Sequence, residues 1–308
     1  MVRSIFVIVF TIASFLSQSA FATFLPENEI AALELLPKGQ PNITEEQFNE
    51  NIRYISEIYS PIVSKHGARL RITGQWKSDT INAAARQMFG VWDIVFTGGL
   101  ARRPEMSSDG MVLILCHELG HHLGGFAMAP GISSPMPIPG TEAWASNEGQ
   151  ADYYATHVCS HLVWGSQKEQ NAKFRETAPA NVRSHCDSVW SSVDKQNLCY
   201  RSLVATQHIS NTMAVLRKEE KMPSFDTPDT NKSNETNHKH PATQCRMDTS
   251  FQGALCSAPF DLSLIPGKKV ADGVDSIAAE REAMMNSCSS LTGFQVGLRP
   301  TCWFKQRL

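Results

Sequence analysis

His117-Glu-Leu-Gly-His121, followed further along by Glu148-Gly-Gln-Ala-Asp152, restricts the fold of this 308-residue chain more than anything else in it. On a helix, residues four apart share a face, so His117 and His121 offer two imidazole nitrogens to one point. Glu118 sits one step round, where a carboxylate reaches the same place without being a ligand. Glu148 on a second helix supplies a third donor, and Asp152 lies one turn further along the same face. The fold therefore has to bring two helices together so that three donors converge. Three protein ligands with a fourth position open make a catalytic rather than a structural zinc site, so one Zn2+ per chain is expected.

The surroundings agree with that pattern. Met111–Leu115 runs apolar into the first motif, as a helix buried behind a site would. Ser107, Ser108 and Asp109 offer N-cap oxygens upstream, and Gly124-Gly125 supply the stop. Trp144, Ala145, Ala151, Tyr154 and Ala155 give the second motif an apolar face. His157 and His161 also stand four apart, but at ~100° per residue they sit roughly opposite Glu148 and should face away, in a packing or surface role. His122 points elsewhere on its helix and reads as a supporting or surface group.

The first residues read as an export leader. Arg3 gives the positive charge, Ile5–Leu16 the apolar stretch and Ala20-Phe-Ala22 a small-x-small cleavage site, so the mature chain should begin near Thr23. Residues 23–308 then form one domain, with a core over about 45–256 and a cysteine-bearing extension over about 257–308. No later run is long and apolar enough for a membrane span. All eight cysteines follow the leader, an even number suited to an oxidising compartment, periplasmic or extracellular. Their connectivity is one of roughly a hundred. One pair has a geometric basis: Cys159 returns to nearly the helix face of Glu148, and Cys116 abuts His117, so a Cys116–Cys159 bridge would staple the two ligand helices. With 28 basic and 30 acidic residues the net charge is −2, which gives no support for nucleic-acid or anionic-membrane binding.

Residues 44–65 show a helical pattern, with Thr44 and Gln47 as a capping box and Phe48, Ile52, Ile55, Tyr59 and Ile62 recurring at helical spacing. Arg69–Thr73 and Val91–Phe96 read as strands. Between them Ile81–Ala85 is a small-residue stretch of no obvious packing value. Pro130, Pro135, Pro137 and Pro139 mark a loop between the ligand helices that could overhang a cleft. Helix is expected over about 183–219, a long polar loop over 222–240, and helix again around 243–256 and 275–288. Residues between Thr23 and about Thr44 carry no strong pattern and are compatible with a pro-segment. Sparse strands beside many helices indicate α+β, mostly helical with a small sheet.

The two motifs follow the zincin pattern, in which the Glu of the first motif is a general base. Ala127 occupies the position where metzincins carry a third His, so Glu148 points instead to a gluzincin. The chain resembles the gluzincin peptidases related to the HtpX heat-shock protease and the CAAX prenyl proteases. Asn82-Ala-Ala-Ala85, the following strand and Gly98-Gly99-Leu100 are similar to that family's Asn-Ala-x-Ala segment, and His240-Pro-Ala-Thr-Gln-Cys-Arg246 is similar to its His-Pro-x4-Arg motif. The resemblance covers roughly residues 50–250. It implies a zincin-type fold whose edge strand borders the cleft, with Asn82, Ala83 and Ala84 holding a protein or peptide substrate by strand addition. It also implies that His240 approaches the oxyanion and that Arg246 braces the helix carrying Glu148 and Asp152. The chain departs from most relatives in lacking transmembrane helices near the motifs, and in its eight cysteines and C-terminal tail. A soluble, exported zinc metalloendopeptidase with Glu118 as base is the expectation; the alternative is a zincin fold that keeps its zinc and has lost productive access.

Overall fold

The computed structural model describes residues 22–26, 41–130, 143–270 and 276–308. Nearly all of the leader, the residues over 27–40 and the proline-bearing stretch over 131–142 lie outside them.

A small mixed sheet stands against a larger body of helices. Its strands are β1 (Ala22–Thr23), β2 (Arg69–Gln75), β3 (Ala83–Met88) and β4 (Val91–Thr97), in the order β1-β3-β4-β2. The last two pair antiparallel from Ala83↔Phe96 to Met88↔Val91, and their hairpin turns at Phe89-Gly90, both with positive φ, as a two-residue turn matched to strand twist requires. Parallel pairing joins β2 to β4 from Arg69↔Val91 to Gln75↔Thr97, and β1 adds antiparallel to β3 through Ala22↔Ala85 and Thr23↔Ala84.

The helices are α1 (Glu45–Lys65), α2 (Ser108–Leu123), α3 (Glu148–Tyr154), α4 (Ala180–Val189), α5 (Val193–Leu216), α6 (Thr243–Leu255) and α7 (Ile277–Ala283), with shorter turns between some of them. Thr44 and Gln47 close the capping box that opens α1, which buries Phe48, Ile55, Tyr59 and Val63. The Ser107 hydroxyl caps α2 by accepting from the Gly110 N–H. From Gly110 to Leu123 every residue of α2 is buried, so this is the central helix of the fold rather than an amphipathic surface one. Asn147 caps α3 through the Gln150 N–H, and the rod continues through a π turn at Ala155–Cys159 into Ser160–Trp164.

Gly120 sets the distance between the two motif helices. A Cβ there would lie 2.9 Å from both the Cα and the carbonyl oxygen of Ala151, so the backbones of α2 and α3 cross in direct contact. The Cys116–Cys159 bridge clamps the same pair, with 5.6 Å between the Cα atoms. Three further bridges, Cys186–Cys199, Cys245–Cys302 and Cys256–Cys288, pair the remaining cysteines. Two of them tie the C-terminal tail to either end of α6. Trp303 of that tail is fully buried against Gly149, the residue after Glu148. Through Trp303 the described residues beyond 256 thus pack against the second motif helix.

Several local expectations need correction. Ile81–Ala85 has a packing function: Ala83 and Ala85 are buried on one face of β3, where only small side chains let the strand lie close to its helical neighbours. β3 is not the free edge of the sheet, because β1 covers it. The helix expected over 183–219 is two helices, broken where Trp190 folds back to donate its indole N–H to the Ala254 carbonyl and Cys186 bridges to Cys199. No helix among the described residues is long and apolar enough to cross a membrane.

Candidate metal centre

His117 and His121 lie one turn apart on α2, and their rings meet edge to face with centroids 4.7 Å apart. Glu148 opens α3 opposite them, bringing Oε2 to 3.4 Å from His117 Nε2 and Oε1 to 3.6 Å from His121 Nε2. One ligand atom from each of the three side chains lies within 4.8 Å of the others. Both Nε2 atoms and Glu148 Oε2 are buried without a hydrogen-bond partner. A buried polar atom left unpaired costs about 1–3 kcal/mol, so three of them facing one point are an unstable arrangement unless something joins them. An ion with nitrogen and oxygen ligands does so, and this group could hold one.

The other ring nitrogens are fixed. His121 Nδ1 lies 2.8 Å from the Ser146 carbonyl, to which it donates. His117 Nδ1 lies 2.8 Å from Asp152 Oδ1. Each partner holds the Nδ1 proton and leaves the Nε2 lone pair aimed inward, which is how ligand histidines are oriented in metal sites. Asp152 is itself gripped by Arg246 through two parallel bonds, Nε to Oδ2 and Nη2 to Oδ1, both 2.8 Å. Arg246 also donates to the Phe24 carbonyl at 2.7 Å and stands 3.6 Å from Glu148 Oε2.

Electrostatics differ sharply between neighbours. Burial pushes the His117 imidazolium down, but Asp152 and Glu148 outweigh it and carry its pKa to about 9. His121 rests on a neutral carbonyl, and burial takes it down to about 4. Burial also raises Glu118 to about 8, with Glu148 adding to the rise and His117 opposing it. Glu148 and Asp152 resist the same desolvation: His240 and His121 hold Glu148 well below the usual carboxylate range, and Arg246 with His117 lowers Asp152. A divalent cation at the Nε2 atoms favours unprotonated imidazole and ionised carboxylate, so it acts against the high values of His117 and Glu118.

The remaining candidates gather around this centre. Both carboxylate oxygens of Glu118 are buried and unpartnered. His240 places Nε2 3.4 Å from Glu148 Oε1 and 2.6 Å from the Thr23 carbonyl. Asn82 is buried at the head of β3, and its side-chain oxygen accepts the N–H groups of Leu25 and Ala83. Ala83 and Ala84 follow it in the strand that β1 covers.

His157 and His161 take no part in the group. His157 bonds the Ala258 carbonyl and packs against Tyr153 and Phe260, while His161 packs on Trp190. His122 is fully buried and stacked between Trp92 and Trp144, with ring centroids 5.1 and 5.0 Å away. Sequence reasoning missed this Trp–His–Trp stack, which packs α2 against Trp92 of β4 and against Trp144. It missed Ser146 as the support for His121 because the contact is made by backbone. It also missed Phe24, whose ring meets His117 edge to face at 5.4 Å. Models of known protein families, curated proteins and solved structures all give no match to this chain.

Proposed function

We propose that this chain is an exported zinc metalloendopeptidase of the gluzincin type, acting on extended or unfolded protein segments. The observation that carries this is the convergence of His117, His121 and Glu148 on one buried point, with both Nε2 atoms and Glu148 Oε2 lacking a hydrogen-bond partner. Two nitrogens and a carboxylate with an open position are a donor set suited to zinc. When bound, zinc supplies Lewis acidity and lowers the pKa of its water towards ~7. Glu118 takes the proton of the attacking water and passes it to the leaving amine; its burial without a competing partner leaves both oxygens available for that exchange. His240 donates to the oxyanion that develops on the substrate carbonyl, and its present bond to the Thr23 carbonyl supports that role. Asp152 orients His117, and Arg246 orients Asp152. Asn82, Ala83 and Ala84 hold substrate through its backbone, which is insensitive to side chain.

Export is supported by the leader pattern and by the four disulfides, which belong to an oxidising compartment. The second reading is a zinc-binding module without turnover. One observation favours it: β1 lies along β3 where a substrate strand would add. Cleavage of reduced casein by wild type, by a chelated sample and by Glu118→Gln separates the two. Activity lost in both controls and restored by zinc after chelation is expected. Zinc-loaded, oxidised wild type that is as inert as Glu118→Gln would select the silent module.

A further inference from the structure

The four residues Ala22–Leu25 are held in a way unusual for a strand of the core. Only two of them pair in register with β3, which is short for a strand that stabilises a sheet. Their other backbone groups are taken up by β3 beyond that register and by side chains of the site. The Phe24 N–H donates to the Ala83 carbonyl at 3.0 Å, and the Leu25 N–H donates to Asn82 Oδ1 at 3.0 Å. Asn82 Nδ2 donates to the Leu25 carbonyl at 3.4 Å. His240 Nε2 binds the Thr23 carbonyl at 2.6 Å, and Arg246 Nη1 binds the Phe24 carbonyl at 2.7 Å. The segment is therefore recognised through its main chain, as an added peptide strand is. Its Thr23–Phe24 peptide bond lies at His240, whose Nε2 is also 3.4 Å from the Glu148 carboxylate.

The side chain of Phe24 enters a pocket beside the centre. Its ring meets His117 edge to face, and the Arg246 guanidinium stands 4.6 Å from the ring centroid. Leu113, Ile114, Ile209 and Met213 give apolar wall to a cavity of about 20 Å³ beside it, and Thr206, Ser210 and Ser250 give polar wall. Phe24 is 1 % exposed, and its side chain borders that small cavity. The apolar part of these surroundings suits a bulky apolar or aromatic side chain.

We propose that Thr23–Leu25, the residues that follow the expected leader cleavage at Ala22, form a resident peptide seated in the substrate cleft, and that the pocket holding Phe24 selects a bulky apolar residue immediately C-terminal to the bond that is cut. Which bond is cut rests on the peptidase reading above, whereas occupancy of the cleft is measurable without turnover. The resident segment keeps the site latent until it withdraws, and an incoming substrate competes with it for Asn82, His240 and the Phe24 pocket.

The test uses the full chain carrying Glu118→Gln, so that nothing is cut, and a fluorescent peptide Ala-Thr-Phe-Leu-Pro-Glu matching residues 22–27. Phe24→Ala and Leu25→Asp weaken the occupant and leave the walls of the cleft untouched. Each should bind the peptide at least tenfold more tightly than the parent does, and a peptide with Ala in place of its Phe should bind at least tenfold more weakly. Hydrogen exchange on the parent gives an arm that needs no further variant. The Phe24 and Leu25 amides should exchange at least tenfold faster than those of Ile94 and Phe96, by local release rather than unfolding. Exchange of all four only through global unfolding would make the segment a structural strand and overturn the inference, as would folded variants that gain no peptide. Peptide gained by these variants, with a wild type that neither holds zinc nor cuts casein, would retain the resident segment and sink the peptidase reading instead.

Discussion

Gly120→Ala reverses the usual sign of a helical substitution. In an exposed helix, replacing Gly by Ala stabilises by up to about 1 kcal/mol. At position 120 the new Cβ lies 2.9 Å from the Ala151 Cα and carbonyl oxygen, against the 3.4–4 Å of ordinary van der Waals contact. Both contacts are backbone on α3, so no side chain can swing aside. The helices must part by about 0.5 Å, in an interior too close-packed to absorb it without strain. Overpacking of this kind costs roughly 1–3 kcal/mol, which for a chain this size lowers Tm by roughly 2–10 °C. The same movement carries Glu148 away from His117 and His121, while metal–ligand distances tolerate only about 0.2 Å. Zinc affinity should therefore fall by roughly tenfold or more. Thermal unfolding of the zinc-free protein and competition against a chromogenic chelator read the two effects separately. A variant with unchanged or raised Tm and unchanged zinc affinity would refute the idea that backbone contact at Gly120 sets the ligand geometry.

Removing the Cys116–Cys159 bridge by a double Ala substitution should cost about 4 kcal/mol in denaturant unfolding, the chain-entropy value for a sequence separation of 43. Arg246→Met leaves the Asp152 carboxylate buried with only His117 beside it and should destabilise by roughly 3–5 kcal/mol; Arg246→Lys, lacking the fork, should recover little of that. Both belong in urea titrations at fixed zinc. Stability should also fall as pH drops from 6.5 towards 4. His157 is buried and His161 partly so, both with pKa values near 4, pushed down chiefly by desolvation, whereas the unfolded chain protonates near 6.5 and so binds more protons in that window. The buried His157 contributes on the order of 3 kcal/mol above pH 6.5 that is lost on acidification, His161 less, and His157→Gln should flatten the Tm–pH curve. A curve of unchanged slope in that variant would assign the acid sensitivity elsewhere.

How much was legible in the sequence depended on whether the signal was a side-chain pattern or a backbone contact. The α1 capping box, the convergence of His117, His121 and Glu148, and the Cys116–Cys159 staple all follow from residue type at helical spacing, and each is present in the fold. Strand β3 was hidden as a packing element because alanine carries no β signature; its role comes from what its neighbours allow. The break at Trp190 depends on a tertiary bond to Ala254, and the Trp92–His122–Trp144 stack joins residues far apart in sequence. Gly120 stood inside the motif in plain view, but its use appears only once Ala151 is placed against it. Thr23–Leu25 lies in a stretch without a strong pattern, and its contacts are made by main-chain groups that every residue carries.

The central claim is that His117, His121 and Glu148 together hold one zinc ion, and metal content tests it most directly. Mature, oxidised protein purified without chelator should contain one equivalent of zinc per chain by elemental mass spectrometry, and His121→Ala, folded with all four disulfides formed, should contain almost none. Wild type without stoichiometric metal, or His121→Ala with the same zinc content, would contradict the account.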